Sequence, residues 1–451
     1  MCWIVYSESQ SSIVSCRHSH KLRSPLVAVH VRKLYVRAWF IEYLLKRDEL
    51  FKPTPSQKAS TLFLNGLQSI IGLCYPAHSE SPGSVMRPPN KEPAQGSLTD
   101  TMSPKNIIQS MISAVRGMSS ATELHFEWRD LPLNKDTRIF LTSTRTAFDK
   151  SLRKLALQAQ ISKFKELLAI TNFAYIDELH FHFDYRTRAL ENMRQNGGES
   201  KGDPDAVELL DTIMPFIEHR KSYLRTLVLS STSLVDLSEF FKQLPSLPLL
   251  RHFGASIYFD KEHLSDPSGL LHLLKTSSWS LLHVRIRPNC PEVPVYNRAL
   301  SFQQKRADWE RINNSLLVDS NCLAGLESLQ IPFLSVQKTL PLLARSYDTL
   351  TSLCLTDTFL SLEQVISVIN VFSRRAFELR HLHLEVLDLN LKLLQTLSSR
   401  LPRLSSLVIV YKSQIFCDLV REIPLRGLLL LTFYLGNFRS TTHRSIRGCS
   451  D

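Results

Sequence analysis

Two pairs of histidines are the residues in this sequence whose spacing best suits metal binding. His180 with His182, and His381 with His383, have the i, i+2 spacing that points both rings to one face of a β-strand. A zinc site needs three or four ligands, so facing strands would have to align, and no Cys or carboxylate pattern completes the set. We therefore predict no metal site and interpret these histidines as part of a polar recognition surface.

The sequence contains none of the short motifs on which hydrolysis or nucleotide binding commonly depends. G-x-S-x-G, H-E-x-x-H and Walker A sequences do not occur. The eight cysteines are scattered and form no C-x-x-C pair, which argues against a zinc ribbon or a dense disulfide scaffold and favours a reducing compartment. We predict that the chain is not an enzyme and that it has no cofactor.

The residues that would position a recognition surface belong to a repeated L-x-x-L-x-L pattern. Its clearest copies start at Leu326, Leu350, Leu379 and Leu404, at separations of 24, 29 and 25 residues (350−326, 379−350, 404−379). These separations match the ~20–29-residue period of leucine-rich repeats. Earlier and partly degenerate copies start at Val31, Ala121, Leu152, Ile176, Leu224 and Leu281.

This pattern predicts an α/β fold, a leucine-rich-repeat solenoid with a parallel concave sheet and outer helices. Ser361 and Gln364 have capping-box spacing before a helical run, and a second helix is expected from Leu391 to Leu401. Thr232 and Thr358 are expected at the bend that follows a strand, where their hydroxyls can bond to turn backbone groups.

Alternation along the predicted strands directs the leucines inward and the intervening residues outward. By this alternation Trp128, Phe183, Phe333 and Tyr411 are also expected to point outward, where aromatic side chains suit protein recognition. The candidate partner-binding residues on the concave face are Arg225, Gln330, Cys354, Arg380, His381, His383 and Val408.

The formal net charge of +12 is concentrated towards one end of the chain. Residues 1–58 hold ten Lys or Arg and four acidic residues, a balance of +6. This excess favours either an anionic partner or an ordinary solvated repeat, and we do not expect nucleic acid because no RNA-binding motif or basic heptad region accompanies it. No secretory signal or stretch of ~20 apolar residues is evident, so we expect no membrane association and a location in the cytoplasm, the nucleus or both.

Composition divides the chain into four parts. Residues 1–75 are expected to form a basic segment with a degenerate first repeat, and residues 76–104 a disordered linker rich in Pro, Ser and Gly. Residues 105–436 would form the repeat array, and residues 437–451 a disordered basic tail. We also expect loops at 192–204 and 288–294, which contain Gly and Pro.

Several segments resemble the F-box-like leucine-rich-repeat proteins of fungi. They are LRTLVLSSTSL, LTSLCLTDTFL and LRHLHLEVLDL in the array, and PLVAVHVRKLYVRAW from Pro25 to Trp39, which looks like the first strand after an F-box. The resemblance implies the substrate-recognition part of an F-box-type subunit in a cullin–RING ubiquitin ligase. In that family the F-box docks on a Skp-type adaptor, and the repeats capture the protein substrate.

The sequence departs from the family at the F-box itself. Residues 1–24 are too short and too polar to form one, and Leu131-Pro132 imitates its opening but lies between repeat strands. Because the array begins near residue 25 without a predicted cap, we expect an F-box to be encoded upstream, and the adaptor and cullin to be partners only in that case. The alternative is a stand-alone scaffold with no ligase role, and a third is a protein that contacts nucleic acid through its basic N-terminal segment.

Overall fold

The computed structural model describes residues 2–7, 10–15, 25–37, 104–129, 133–184, 204–289, 298–318, 323–346, 348–372, 379–412 and 430–435. A 14-stranded sheet with strands in the spatial order β14 to β3, then β1 and β2, forms its core. The strands are β1 (Cys2–Ser7), β2 (Gln10–Ser15), β3 (Lys33–Arg37), β4 (Glu123–Arg129), β5 (Lys154–Gln160), β6 (Glu178–Asp184), β7 (Thr226–Ser231), β8 (His252–Ile257), β9 (His283–Pro288), β10 (Ser328–Pro332), β11 (Ser352–Thr356), β12 (His381–Val386), β13 (Ser406–Tyr411) and β14 (Leu430–Leu435).

Helices connect the strands and lie on one face of the sheet. They are α1 (Pro25–Ala28), α2 (Pro104–Val115), α3 (Lys135–Phe148), α4 (Phe164–Ile170), α5 (Pro204–Glu208), α6 (Met214–Glu218), α7 (Ser238–Gln243), α8 (Ser268–Thr276), α9 (Arg298–Val318), α10 (Val336–Ser346), α11 (Leu362–Val371) and α12 (Leu391–Arg400). A 3₁₀ turn at Ile161–Lys163 leads into α4, and a π-helical segment at Leu209–Ile213 joins α5 to α6.

The predicted leucine-rich-repeat solenoid is confirmed by the sheet. From β3 to β14 each strand runs parallel to the next and pairs with it in register, for example Leu329 with Leu353 and Leu382 with Leu407. These leucines are buried and form a single core with the inner faces of the helices. Because strands pack about 4.8 Å apart and helices about 8–10 Å apart, the sheet lies on the concave side and the helices lie outside.

The predicted helix starts and turns are also present. Ser361 accepts a hydrogen bond from the Gln364 amide and Gln364 bonds back to the Ser361 amide, so the capping box at α11 is confirmed. The hydroxyl of Thr358 donates to the Phe333 carbonyl at 2.7 Å, and that of Thr232 donates to the Phe183 carbonyl at 3.3 Å. Each threonine therefore joins the end of its strand to the preceding repeat.

Two strands of the array, β8 and β14, were not predicted. In β8 the inward positions are Phe253, Ala255 and Ile257, which do not fit the leucine template although all three are buried. In β14 the Leu430 to Leu435 segment pairs with β13 in register from Ser406 to Tyr411. Both segments form strands because the free N–H and C=O groups along the edge of the adjacent strand can hydrogen-bond to their backbone.

The expectation that the array starts without a cap is wrong. Strands β1 and β2 form an antiparallel hairpin, and β1 pairs antiparallel with β3, with Ile4 opposite Tyr35 and Tyr6 opposite Lys33. The hairpin covers the edge of β3 and satisfies its ladder of backbone hydrogen bonds. The inference that an F-box is missing loses this part of its support.

Packing between neighbouring helices is closest at α7 and α8. A Cβ atom built on Gly269 would lie 2.4 Å from the Lys242 backbone nitrogen and 2.5 Å from the Phe241 carbonyl carbon. Only a residue without a side chain permits this approach. The predicted linker up to residue 103, the predicted loop up to residue 203, that at 290–294 and the tail at 437–451 lie outside the described residues.

Candidate functional site on the concave face

The outward side chains of the sheet form rows that cross the strands. One row, here called the middle row, is fixed by the register of every strand pair from β3 to β13. Its members are Tyr35, His125, Ala156, His180, Val228, Gly254, Arg285, Gln330, Cys354, His383 and Val408. The repeat thus brings residues more than 370 positions apart onto one continuous surface (408−35).

The predicted partner-binding residues occupy two different places. Gln330, Cys354, His383 and Val408 are consecutive members of the middle row. His381 lies in the adjacent row, where it pairs with Ser352 and Ser406.

Two of the candidates, Arg225 and Arg380, do not lie on a strand. Each is an exposed residue in the turn immediately before a strand, and its carbonyl accepts two amides from the following repeat. They therefore belong to an edge of the sheet and not to its concave face.

The structure contradicts the prediction of outward aromatic side chains, because three of the four residues are buried and the fourth, Tyr411, packs against the core. Phe183 is fully buried because it has the same parity as Leu179 and Phe181. Trp128 is 1% exposed and stacks on Phe126 at 5.0 Å, next to a register shift between β4 and β5. Phe333 follows the end of β10 and is also buried, whereas Tyr411 is partly exposed.

The charged residues on the first strands of this face pair with one another. Glu123 lies 2.6 Å from Lys33 and 3.8 Å from Lys154, and Lys154 lies 4.0 Å from Glu178. These contacts form a ladder of alternating charge across β3 to β6. Such partly exposed pairs contribute little to stability. Because the opposite charges balance, this end of the face has no strong net electrostatic potential.

Next to this ladder the face has a depression of about 250 Å³, lined in part by His125, His180 and Ser230. The His125 ring stacks on Tyr35 with centroids 4.0 Å apart. Burial lowers the pKa of His125 to about 4 and that of His180 to about 3, and the positive charge of Lys154 acts in the same direction. Both imidazoles are therefore neutral at pH 7 and can offer a ring nitrogen to a ligand.

The depressed histidine pKa values predict a loss of stability in mild acid. In the unfolded chain both rings gain protons below pH 6.5, whereas in the fold they remain neutral until about pH 4 and 3, so stability falls as the pH drops below 6.5. We expect a loss of about 1 kcal/mol per histidine between pH 7 and 5, allowing for their partial exposure. Urea unfolding at both pH values should show a smaller loss for the His125→Asn/His180→Asn variant, and an unchanged loss would contradict the assignment.

The central strands carry two arginines on the concave face, Arg285 and Arg287 of β9. Among the described residues, no carboxylate lies within ion-pair distance of either guanidinium. Burial lowers the pKa of Arg285, and the nearby Arg287 charge lowers it further. Gly254 lies opposite Arg285 in the middle row. Because Gly254 has no side chain, a narrow gap remains between its backbone and the Val228 side chain. The sequence contains these arginines as R-I-R in a predicted strand, but neither is among the candidate partner-binding residues.

Four polar groups in this face are buried without a hydrogen-bond partner. They are the Nε2 atoms of His125, His180 and Gln330 and the Nε atom of Arg287. Polar atoms removed from water are nearly always hydrogen-bonded. These four atoms are therefore available to hydrogen-bond to a ligand or a partner.

Cys354 lies between Gln330 and His383 in the middle row and is a free thiol. Burial raises its pKa to about 11, although the charges of Arg287 and Arg285 oppose this shift. The thiol is therefore protonated at pH 7 and is a poor nucleophile or metal ligand. In the part of the chain that the structure describes, three or more His, Cys, Asp or Glu side chains do not converge on a metal position, and His182 instead contacts Asp184 at 3.1 Å.

No protein-family model matches this sequence, and no curated protein matches it. Among solved structures, a chain in the crystal structure of the Rad7 and Elc1 complex in yeast is similar, with 14% sequence identity and a TM-score of 0.40. The similarity covers 72% of this chain and 77% of that chain. At this distance it carries no information on function. No helix in the described ranges is long and apolar enough to cross a membrane.

Proposed function

We propose that this chain is a protein-interaction module that binds a segment of a partner protein along the concave face. The observation that carries the proposal is the set of buried, unpartnered polar atoms of His125, His180, Arg287 and Gln330 on that face. An extended peptide offers backbone and side-chain groups that can bond to such a set, because its members lie on one surface. Neutral histidines and unpaired arginines beside them suit a polar segment with acceptor groups.

Within this function, the resemblance of the repeats to fungal F-box-like proteins supports a role in substrate recognition for a cullin–RING ubiquitin ligase. The concave face would bind the substrate, and a Skp-type adaptor would join the complex through an F-box where one is present. This role requires no catalytic residue or cofactor in the chain, and it places the protein in the cytoplasm, the nucleus or both. A stand-alone scaffold is the alternative, and it uses the same concave face.

Affinity purification of the full chain from its native locus, followed by mass spectrometry, tests the proposal. We expect partner proteins that are retained by the wild type and lost from Arg285→Glu, since this change reverses a charge on the concave face. Lys392→Glu, an exposed change of equal charge on the outer helix α12, is the matched control and should keep them.

Two outcomes separate the alternatives. Recovery of a Skp-type adaptor and cullin together with those partners supports the ligase role, whereas partners without adaptor or cullin support the scaffold. If Arg285→Glu retains every partner of the wild type, the concave face is not the binding surface and the proposal fails.

A further inference from the structure

A second surface lies along the edge of the sheet where the chain enters β5 to β9. We call it the entry edge, and it consists of Arg153, Tyr175, Arg225, Leu249, Arg251 and Trp279. Its backbone forms a ladder: the carbonyls of Arg153, Asp177, Arg225 and Arg251 each accept the amide of the corresponding residue in the next repeat, at 2.8–3.0 Å. At ~4.8 Å per strand, the edge is about 19 Å long from Arg153 to the turn before β9.

Large apolar side chains on this edge are exposed. Trp279 is 71% exposed, Tyr175 51% and Leu249 42%. The turns that carry Trp279 and Leu249 are adjacent, since the Ser280 hydroxyl donates to the Leu250 carbonyl at 2.9 Å. Exposing the apolar surface of a tryptophan and a tyrosine to water is unfavourable. These residue types also contribute much of the binding free energy at protein interfaces.

Arginines alternate with these apolar residues. Arg225 and Arg251 are exposed neighbours one strand apart, and within the described ranges neither forms an ion pair or a side-chain hydrogen bond. The two guanidinium groups belong to equivalent turns before adjacent strands, and like charges on neighbouring repeats repel unless an anion lies between them. Arg153 is held differently, with its guanidinium 5.4 Å from the Tyr175 ring centre and 3.4 Å from the Tyr175 carbonyl.

From this arrangement we infer that the entry edge binds an acidic segment of a partner protein whose apolar side chains cover Trp279 and Leu249. Carboxylates of the segment would lie between Arg225 and Arg251. A nucleic acid strand fits less well, because its phosphates are continuous and would also meet Asp177, which stands in the same ladder between Arg153 and Arg225. A peptide can place its carboxylates beside Arg225 and Arg251 alone. Leu249 also offers no ring for base stacking. This surface is separate from the concave face, so its binding does not depend on the function proposed above.

Defined probes test the inference with the full chain. Fluorescein-labelled twelve-residue peptides would contain Glu and Leu, Glu and Ser, or Lys and Leu, and a labelled oligo-dT strand would serve as the nucleic acid. We expect the Glu and Leu peptide to bind about tenfold or more tightly than the other three in anisotropy titrations, and to weaken as salt is added.

Two variants and one control locate the binding. Arg225→Glu/Arg251→Glu and, separately, Trp279→Ser should each weaken the Glu and Leu peptide about tenfold or more, because each removes a different half of the surface. Arg403→Glu changes an exposed arginine in the turn before β13, outside the entry edge, and should have less than about a twofold effect. All changed residues are exposed, and thermal unfolding of each variant confirms that it is folded.

The inference is overturned by either of two results. One is equal affinity of the wild type and both entry-edge variants for the Glu and Leu peptide. The other is preferential binding of the oligo-dT strand, which would make the edge a nucleic acid surface. Neither result bears on the Arg285→Glu experiment, so the two proposals stand or fall separately.

Discussion

We expect Trp309→Ala to lower the free energy of unfolding by about 3–5 kcal/mol. Trp309 lies on α9, a helix of 21 residues, and is 1% exposed. Its indole nitrogen donates to the Pro332 carbonyl at 3.1 Å at the end of β10, and its ring lies 5.9 Å from that of Phe259. Truncation therefore leaves a cavity and an unpaired buried carbonyl at the same place.

Urea unfolding of two further variants separates the two parts of this effect. Trp309→Phe keeps much of the ring volume but removes the donor, and we expect a loss of about 1–2 kcal/mol. Trp279→Ala removes the same kind of side chain from an exposed position, and stability should change by less than about 0.5 kcal/mol. A small loss in Trp309→Ala would show that α9 does not hold the adjacent repeats together.

We expect Arg220→Ala to cost about 3 kcal/mol or more, the second large effect. The Arg220 guanidinium is buried between repeats and donates to the Phe216 carbonyl at 2.9 Å, the Asn172 side-chain oxygen at 2.6 Å and the Phe173 carbonyl at 3.1 Å. It also lies 3.6 Å from the centre of the Phe216 ring. The alanine variant leaves the carbonyls of the buried residues Phe173 and Phe216 without this donor, whereas the exposed Asn172 side chain can bond to water.

Lys221→Ala is the matched control for this experiment. Lys221 follows Arg220 directly, is exposed and, among the described residues, pairs only with the nearby Glu218, so urea unfolding should detect a loss of about 0–0.5 kcal/mol. Arg220→Lys keeps the positive charge but cannot reach three acceptors, and we expect most of the loss to remain. Full stability in Arg220→Lys would show that charge, and not the shape of the hydrogen-bonding fork, is what the site requires.

Both residues fix one repeat against the next, which is the step on which a solenoid depends. Each repeat contacts mainly its neighbours, so the free energy of the array is close to a sum of repeat and interface contributions. A loss at Trp309 or Arg220 should therefore also reduce cooperativity between the repeats on either side. Such a loss of cooperativity would allow the part of the concave face around Arg285 to unfold independently of the neighbouring strands.

Much of the candidate surface was predictable, but not its chemistry. The middle-row positions of Gln330, Cys354, His383 and Val408 follow from alternation within a strand and the period between strands, and both are local properties. The sequence did not distinguish His180 from His182, although the first is neutral through burial and the second contacts Asp184. That difference depends on residues from neighbouring repeats, which lie far away in the chain.

Several assignments failed, for different reasons. Phe333 and Trp128 were expected outside and are buried, since each has the same parity along the chain as an inward residue of its strand, Ile331 and Phe126 respectively. Arg225 was expected on the concave face and lies on the entry edge, because it precedes the strand. Strand β8 was missed because Phe253 and Ala255 occupy the inward positions where leucine was sought.

The sequence by itself determined that the chain forms a leucine-rich-repeat solenoid, which residues face its core and where its clearest caps lie. These properties depend on the identity and spacing of residues within one repeat, where each apolar side chain must meet the same kind of neighbour. Only the tertiary structure decided which outward polar groups lose water, which charges find partners and which aromatic side chains stay exposed. Those properties arise between repeats, from desolvation and Coulomb interactions among residues that the chain brings together only when the array is assembled.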